Sequence, residues 1–436
     1  MKTPIYSRLL KHKELNYSPF HTPGHKNNNF FPKNLFELDF TELPDTDALY
    51  EAEGIILQTE KNLAKLFSAK RSIISSGGCT LAIQTMLRLA SQRGNKILFA
   101  RNIHRSAVNA CALLGIIPKW ILPKSENGLF TGRISPKDVE KEFLNDTEIS
   151  ALYITSPDYY GELTDIKALS EICRKYNKLL LVDNAHGSHL AFLKENQHPV
   201  HLGADMSACS IHKTMPVLTG GAVLNIGNPK FSETAKNAMS LFGSTSPSYP
   251  IMASIDICCD YMLNGNGISD YRALEERVAN IKESAKNHGI IQPEGSCDPI
   301  RICINTNGIK NQIEFFHSYN IEAEFCDGQN AVFICTPFNT EKDFQRLETA
   351  ISNIKTIPLI QNDFSFELPE IKLSPREAIL AETEMISVEN SFGKISAESA
   401  CPCPPGIPVI MPGEVINKNT VSQLLEYKFK YITVVK

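Results

Sequence analysis

The sequence predicts an α/β protein built on a mainly parallel sheet with helices on both faces. Two observations carry that reading. Short, near-continuous apolar runs alternate with segments of helical periodicity, and small, polar or charged residues fall just after the runs. Strands without polar alternation are buried on both faces, and helices between them supply the crossovers that parallel neighbours need. At 436 residues the chain also exceeds one small core and suits about two to three domains.

Taken in order, residues 1–50 are rich in Pro, His, Asn and aromatics without periodicity, and read as an N-terminal arm. From about residue 72 the runs SIIS (72–75), KILFA (96–100), ALYIT (151–155), KLLLVD (178–183), MSACSI (206–211) and GAVLNI (221–226) read as strands. Helices are expected over 80–92, 106–114 and 166–176, where Leu169, Ile172, Cys173 and Tyr176 recur at helical spacing. These elements define a large domain, 51–265. A helix over 270–288, strands at 300–305 and 331–337 and a helix over 341–354 predict a smaller α+β domain, 266–361. After a polar break, a last domain, 362–436, carries the Pro-rich loop CPCPPGIPVIMPGE (401–414) and a final strand, YITVV (431–435).

Composition excludes several classes. A net charge of -4 and a pI near 6.3 give no basic face for nucleic acid. The N-terminus is charged and polar where a signal peptide needs an apolar run, and no stretch reaches the roughly 18 apolar residues of a membrane span. A cytoplasmic location is expected. The 12 cysteines are scattered without a CxxC pair, which reads as reduced thiols rather than a metal site.

In parallel sheets ligands bind at the carboxyl ends of the strands. After the first run comes Ser75-Ser76-Gly77-Gly78-Cys79-Thr80, then a helix. Small residues before a helix N-terminus leave N–H groups free to cradle an anion, although alone such a pair of glycines is an ordinary turn. His104 follows the next run, and a flat imidazole there can stack on an aromatic ligand. Asp183 ends KLLLVD, with His186 three residues on. A buried carboxylate needs a cation or a donor, and a protonated pyridine nitrogen would serve. Lys213 follows MSACSI, where burial would depress its pKa and make it a Schiff-base nucleophile. Together these groups make sense as one cofactor site.

The same residues fall in blocks that resemble the ornithine/lysine/arginine decarboxylase family of fold-type I pyridoxal-phosphate enzymes. The blocks are FHTPGHK (20–26), TELPDTDAL (41–49), ARNIHRS (100–106), TSPDYYG (155–161), VDNAHG (182–187), SIHKT (210–214), STSPSY (244–249) and PPGIP (404–408) with PGE (412–414). The chain resembles the short members, which lack a receiver-like wing domain. The resemblance implies a mainly parallel seven-stranded sheet in the cofactor-binding domain, and pyridoxal 5'-phosphate as cofactor. It implies that Lys213 carries the cofactor, that Asp183 pairs with the pyridine nitrogen, and that His104 stacks on the ring with His186 beside it. Gly78, Cys79, Thr80, Ser210 and His212 would surround the phosphate, with His212 also placed for proton transfer. Ser244 and Thr245 would reach the phosphate of a neighbouring subunit in a homodimer or larger homo-oligomer. Glu414, with acidic residues of the arm such as Asp47, would read the substrate's distal cation. The implied activity is decarboxylation of a basic amino acid, arginine before lysine or ornithine, as in polyamine synthesis. The alternatives are a fold-type I aminotransferase, in which Arg101 or Arg301 would clamp the α-carboxylate, and a non-catalytic relative that binds ligand. The chain departs from the family pattern at Asn184, where Glu is common, at Cys403, where Tyr is usual, and in a phosphate turn with fewer hydroxyls.

Overall fold

The structure, a computed structural model, describes residues 4–28, 35–124, 131–355, 368–401 and 407–436. Its strands are β1 (Ser18–Phe20), β2 (Arg71–Ser75), β3 (Lys96–Ala100), β4 (Ile117–Ile121), β5 (Ala151–Thr155), β6 (Leu179–Asp183), β7 (Met206–Cys209) and β8 (Ala222–Ile226). Beyond these lie β9 (Arg301–Asn305), β10 (Ile321–Ala323), β11 (Phe325–Cys326), β12 (Asn330–Ile334), β13 (Thr383–Ser387) and β14 (Tyr431–Val435).

The expected α/β architecture is present. Seven strands form the central sheet in the order β2-β8-β7-β6-β5-β3-β4. Side chains alternate across each strand, and both faces are apolar. Phe99, Tyr153, Leu179 and Leu181 pack into one core, while Leu98, Leu152, Leu180 and Val182 pack into another. This is why the strands read as continuous apolar runs. Strand β8 departs from the parallel expectation, because it runs antiparallel to both β2 and β7. Only residues 210–221 join β7 to β8, and they hold a single turn of helix, Ile211–Thr214. That single turn is not the covering helix that usually carries a chain across to a parallel neighbour, and β8 returns beside β7 instead.

The helix Ile166–Lys175 shows how local signals set an element. The Asp165 side chain accepts the N–H of Ala168 at its start, Arg174 and Lys175 stand in its last turn, and Leu169 and Cys173 face the core. The helix Glu341–Ser352 opens on a capping box of Thr340 and Asp343.

The N-terminal segment is more structured than its composition suggests. It contains a helix, Pro4–Glu14, and β1 pairs in parallel with β10. Phe20 is fully buried against Phe333 and Phe344, with ring centroids 5.9 and 6.0 Å away. Next to it, Gly24 donates its N–H to the His212 carbonyl at 2.8 Å, and a Cβ there would meet Met215 O at 2.6 Å. The HTPGHK block is thus threaded between the Lys213 turn and the antiparallel sheet β11-β12-β9.

The last part of the chain has its own core of Val388, Ile410, Ile416, Leu424, Ile432 and Val434 around the β13–β14 pair. Met411 instead packs into the core of the central sheet, so this segment is docked onto the large domain beside β3. No helix among the described residues is long and apolar enough to cross a membrane.

Candidate active site

The strand ends converge as the doubly wound topology requires. Lys213 stands in the turn after β7, and its Nζ lies 2.8 Å from His186 Nε2. His186 follows the end of β6, and its Nδ1 lies 3.3 Å from Nη2 of Arg301, the first residue of β9. Tyr159 meets the His186 ring edge-on, with centroids 4.7 Å apart. Burial pushes the Lys213 amine below its ordinary pKa. Burial, then the charges of Lys213 and Arg301, push His186 well below the usual imidazole range, so its ring is neutral.

Asp183 ends β6 and is buried. Its Oδ1 accepts the Ala185 N–H at 3.1 Å, and its Oδ2 lies 3.3 Å from the Tyr153 hydroxyl. No Lys, Arg or His nitrogen among the described residues lies within 4.0 Å of this carboxylate. Burial raises its pKa, and the charges of His104 and Lys213 pull it back. His104 caps the helix Arg105–Leu114, its Nδ1 accepting the Ser106 N–H at 3.2 Å. His212 holds its Nδ1 2.9 Å from the Gly221 carbonyl, which places the proton on Nδ1 and the lone pair on Nε2.

The helix Gly78–Ala90 begins at Gly77 without a side-chain cap. Helix starts leave N–H groups unpaired, and here those of Cys79 and Thr80 stand at the open turn. Gly78 takes a positive φ of 70°, and its N–H goes to the Gly220 carbonyl at 2.9 Å. Gly78 therefore shapes the cradle rather than donating into it, which corrects the expectation for that residue. The Cys79 thiol is buried, hydrogen-bonded to Ser210, and raised well above its ordinary pKa by burial. These residues fit pyridoxal phosphate. A buried carboxylate without an ion-pair partner suits a pyridinium nitrogen, an uncapped helix start suits a phosphate, and a buried amine suits a carbonyl carbon.

Several expected residues prove to have other work. Glu414 is 1% exposed, and both its oxygens are occupied: Oε1 by Arg101 Nη1 at 2.5 Å, Oε2 by Arg101 Nη2 at 2.7 Å and by the Met411 N–H at 2.7 Å. It fastens the C-terminal segment to the end of β3 and does not read a substrate cation. Asp47 accepts the N–H groups of Ala48, Glu53, Gly54 and Ile56, so it folds its own loop. Arg101 is closed off by Glu414. Arg301 donates to the carbonyls of Asp158, Tyr159 and His186 and to the His186 ring, so neither arginine is poised as a carboxylate clamp. Ser244 and Thr245 are exposed on the loop after the helix Ala235–Ser240. Asn184 is fully buried, its amide donating to Ser156 O at 2.7 Å and its Oδ1 accepting from the Cys209 thiol; a glutamate would bury a charge there. Cys403 and residues 404–406 lie outside the described residues.

Sequence reasoning missed Glu324. It follows β10, accepts the Thr22 N–H on Oε2 at 2.8 Å, and has the Tyr159 hydroxyl 3.1 Å from Oε1. Its charge is felt by both Lys213 and His212. The pairing of β1 with β10 is what brings it to the site, and nothing in the local sequence signals that pairing.

Fold and site define a fold-type I pyridoxal-phosphate protein. The fold is shared with the lysine decarboxylase of Francisella novicida (TM-score 0.79, 19% identity, 94% of this chain and 76% of that one). It is shared more loosely with the serine palmitoyltransferase of Sphingomonas wittichii (TM-score 0.58, 12% identity, 78% of this chain and 86% of that one). The family described as Orn/Lys/Arg decarboxylase, major domain, matches residues 3–339, and its C-terminal domain matches residues 358–433. The chain belongs to the Orn/Lys/Arg decarboxylase family, and its activity is pyridoxal-phosphate-dependent decarboxylation of a basic amino acid. It is similar to the arginine decarboxylase of Bacillus subtilis (29% identity, 98% of this chain and 93% of that protein). It is less similar to the constitutive lysine decarboxylase of Escherichia coli (22% identity, 96% and 76%).

Proposed function

We propose that the substrate is arginine, that the amine product feeds polyamine synthesis, and that the enzyme works in the cytoplasm as a homodimer or larger homo-oligomer. The relatives named arginine decarboxylase support this reading, because they match the chain from end to end at 28–29% identity. Glu324 supports it as well. It is a half-buried carboxylate with no Lys, Arg or His nitrogen within 4.0 Å among the described residues. A planar guanidinium is matched by such a carboxylate through two parallel N–H bonds. Glu324 thus takes the part expected of Glu414 and Asp47.

The observation that carries the mechanism is the buried Asp183 carboxylate, without a cation of its own, beside the Lys213 amine. Lys213 would hold the cofactor covalently through its amine. Asp183 would pair with its pyridine nitrogen and favour a proton there, and His104 would stack on the ring. The N–H groups of Cys79 and Thr80, with the hydroxyls of Thr80 and Ser210, would hold the phosphate, and Ser244 and Thr245 of a neighbouring subunit would reach it from outside. The chemistry supplied by bound pyridoxal phosphate is an electron sink for the pair left when the Cα–carboxylate bond breaks. Glu324 and Tyr159 orient the side chain of the substrate. The proton that replaces carbon dioxide at Cα would come from Lys213 Nζ, or from His212 once its Nε2 has taken up a proton.

The test is carbon dioxide release by the cofactor-loaded enzyme given arginine, lysine and ornithine in parallel, with Lys213→Ala as control. Release from arginine that the variant abolishes is expected. Release from lysine or ornithine alone would overturn the substrate assignment, and release that survives Lys213→Ala would overturn the site.

A further inference from the structure

Arg301 has no part in the chemistry above, yet it is 3% exposed and lies one side chain from Lys213. Its Nη1 donates to the carbonyls of Asp158 and Tyr159 at 3.2 and 3.0 Å. Its Nη2 donates to the His186 carbonyl at 3.2 Å and points at His186 Nδ1 at 3.3 Å. The aliphatic part packs on Gly161, where φ is +94° and a Cβ would stand 3.2 Å from Arg301 Cδ. The guanidinium is therefore held in one orientation.

A guanidinium stays protonated and can only donate. The atom it points at must offer a lone pair, so His186 Nδ1 is bare. A neutral imidazole carries one proton, which then sits on Nε2. That N–H faces Lys213 Nζ at 2.8 Å. An amine can accept it, but an ammonium has no lone pair. An ammonium here would force the ring proton onto Nδ1, N–H against N–H with Arg301. The ring thus couples the two cations.

We propose that Arg301 is a positioning residue that holds the His186 proton on Nε2 and so presents Lys213 as a neutral amine, the form able to bond to the cofactor's carbonyl carbon. The proposal rests on the reading that Lys213 carries the cofactor. Other groups also act on Lys213. Asp183 at the end of β6, Cys79 at the helix start and Glu324 beyond β10 favour the ammonium. His104 and His212 stand nearby, and burial acts in the same direction as Arg301. Arg301 is the group among these whose donor direction dictates the ring tautomer.

The test compares Lys213 in the full-length, cofactor-stripped enzyme and two variants. Reductive methylation of Lys213 is followed by peptide mass spectrometry across pH, and its midpoint gives the amine pKa. Arg301→Met removes donor and charge; Arg301→Gln removes the charge but keeps an N–H donor. The midpoint is expected to rise by about one pH unit or more in Arg301→Met and to return at least halfway in Arg301→Gln. Equal shifts in both variants would assign the effect to charge alone and overturn the proposal, as would no shift in either. Histidine nitrogen NMR of the wild-type chain decides independently of any variant's folding: a His186 protonated on Nδ1 overturns the proposal. Borohydride trapping of the loaded enzyme reports separately whether Lys213 carries the cofactor, so failure of that reading is distinguishable.

Discussion

Arg101 stands just after β3, and Asp183 ends β6. Both are buried charges at the carboxyl end of a central strand, and in sequence they look alike. Arg101 is saturated: it meets Glu414 through two bonds, donates to the Pro408 carbonyl at 3.3 Å and lies 5.1 Å from the Trp120 ring centroid. Asp183 has two hydrogen bonds and no ion-pair partner within 4.0 Å among the described residues, while the nearby Lys213 faces a neutral imidazole. A closed buried pair is a fastening, because its charge is answered within the chain. A buried charge left open is one that a ligand answers.

The contrast can be broken most sharply at Lys213. Lys213→Ala is expected to lower kcat/KM by at least about 10³-fold while the thermal midpoint stays level or rises. Calorimetry beside the carbon dioxide assay checks both halves. A variant that unfolds instead would place Lys213 among the fastenings.

Glu414→Gln should do the reverse. It leaves the Arg101 charge buried without its partner, which costs about 3–5 kcal/mol, and denaturant titration reads that loss. Turnover of the fraction that remains folded should be little changed. The double change Arg101→Met with Glu414→Leu should recover much of the stability, since apolar replacement of a buried pair is often neutral. A loss of turnover in a stable Glu414→Gln protein would return Glu414 to the substrate pocket.

Glu324→Gln sharpens the comparison inside the site. It removes the charge, while the amide oxygen can still accept the Thr22 N–H and the amide NH2 can donate to the Tyr159 hydroxyl. It is expected to raise KM for arginine by about 10- to 100-fold with a smaller change in kcat. An unchanged KM would reject the role.

The smallest effect concerns a third cluster. Burial raises the Asp298 carboxyl pKa, but His189 at 2.9 Å, then Arg301 and Lys282, bring it down to about 2, below the ordinary 3.8. A carboxyl depressed on folding adds stability that is complete above its unfolded pKa and is lost as pH falls through the folded one. Asp298→Asn should therefore flatten the acid limb of the stability curve between about pH 4 and pH 2. Thermal midpoints of both proteins across that range measure it, and parallel curves would count against the assignment.

How much of this was legible varies residue by residue. Asp183 and Lys213 could be found because each closes an apolar run, and strand ends are where a parallel sheet binds ligands. The helices over 166–176 and 341–354 were legible to within two residues at each end, because periodicity and caps are local. Strand β4, the helix Tyr249–Leu263 and the reversal of β8 were not read. The last depends on a connection without a crossover helix rather than on the residues of β8 itself. Glu414 and Asp47 carry the right charge but are bound within the chain, and charge alone does not reveal a partner.

The sequence by itself determined the two-faced strands, the residues that close them and the chemistry those residues can perform, since these follow from side-chain type and from spacings of a few residues. Only the tertiary structure decided which charges are answered inside the chain. Arg101 meets Glu414 across 313 positions, Thr22 meets Glu324 across 302, and Arg301 meets His186 across 115. Hydrogen bonds are made at about 3 Å, and no local pattern records which distant residue will come within that reach.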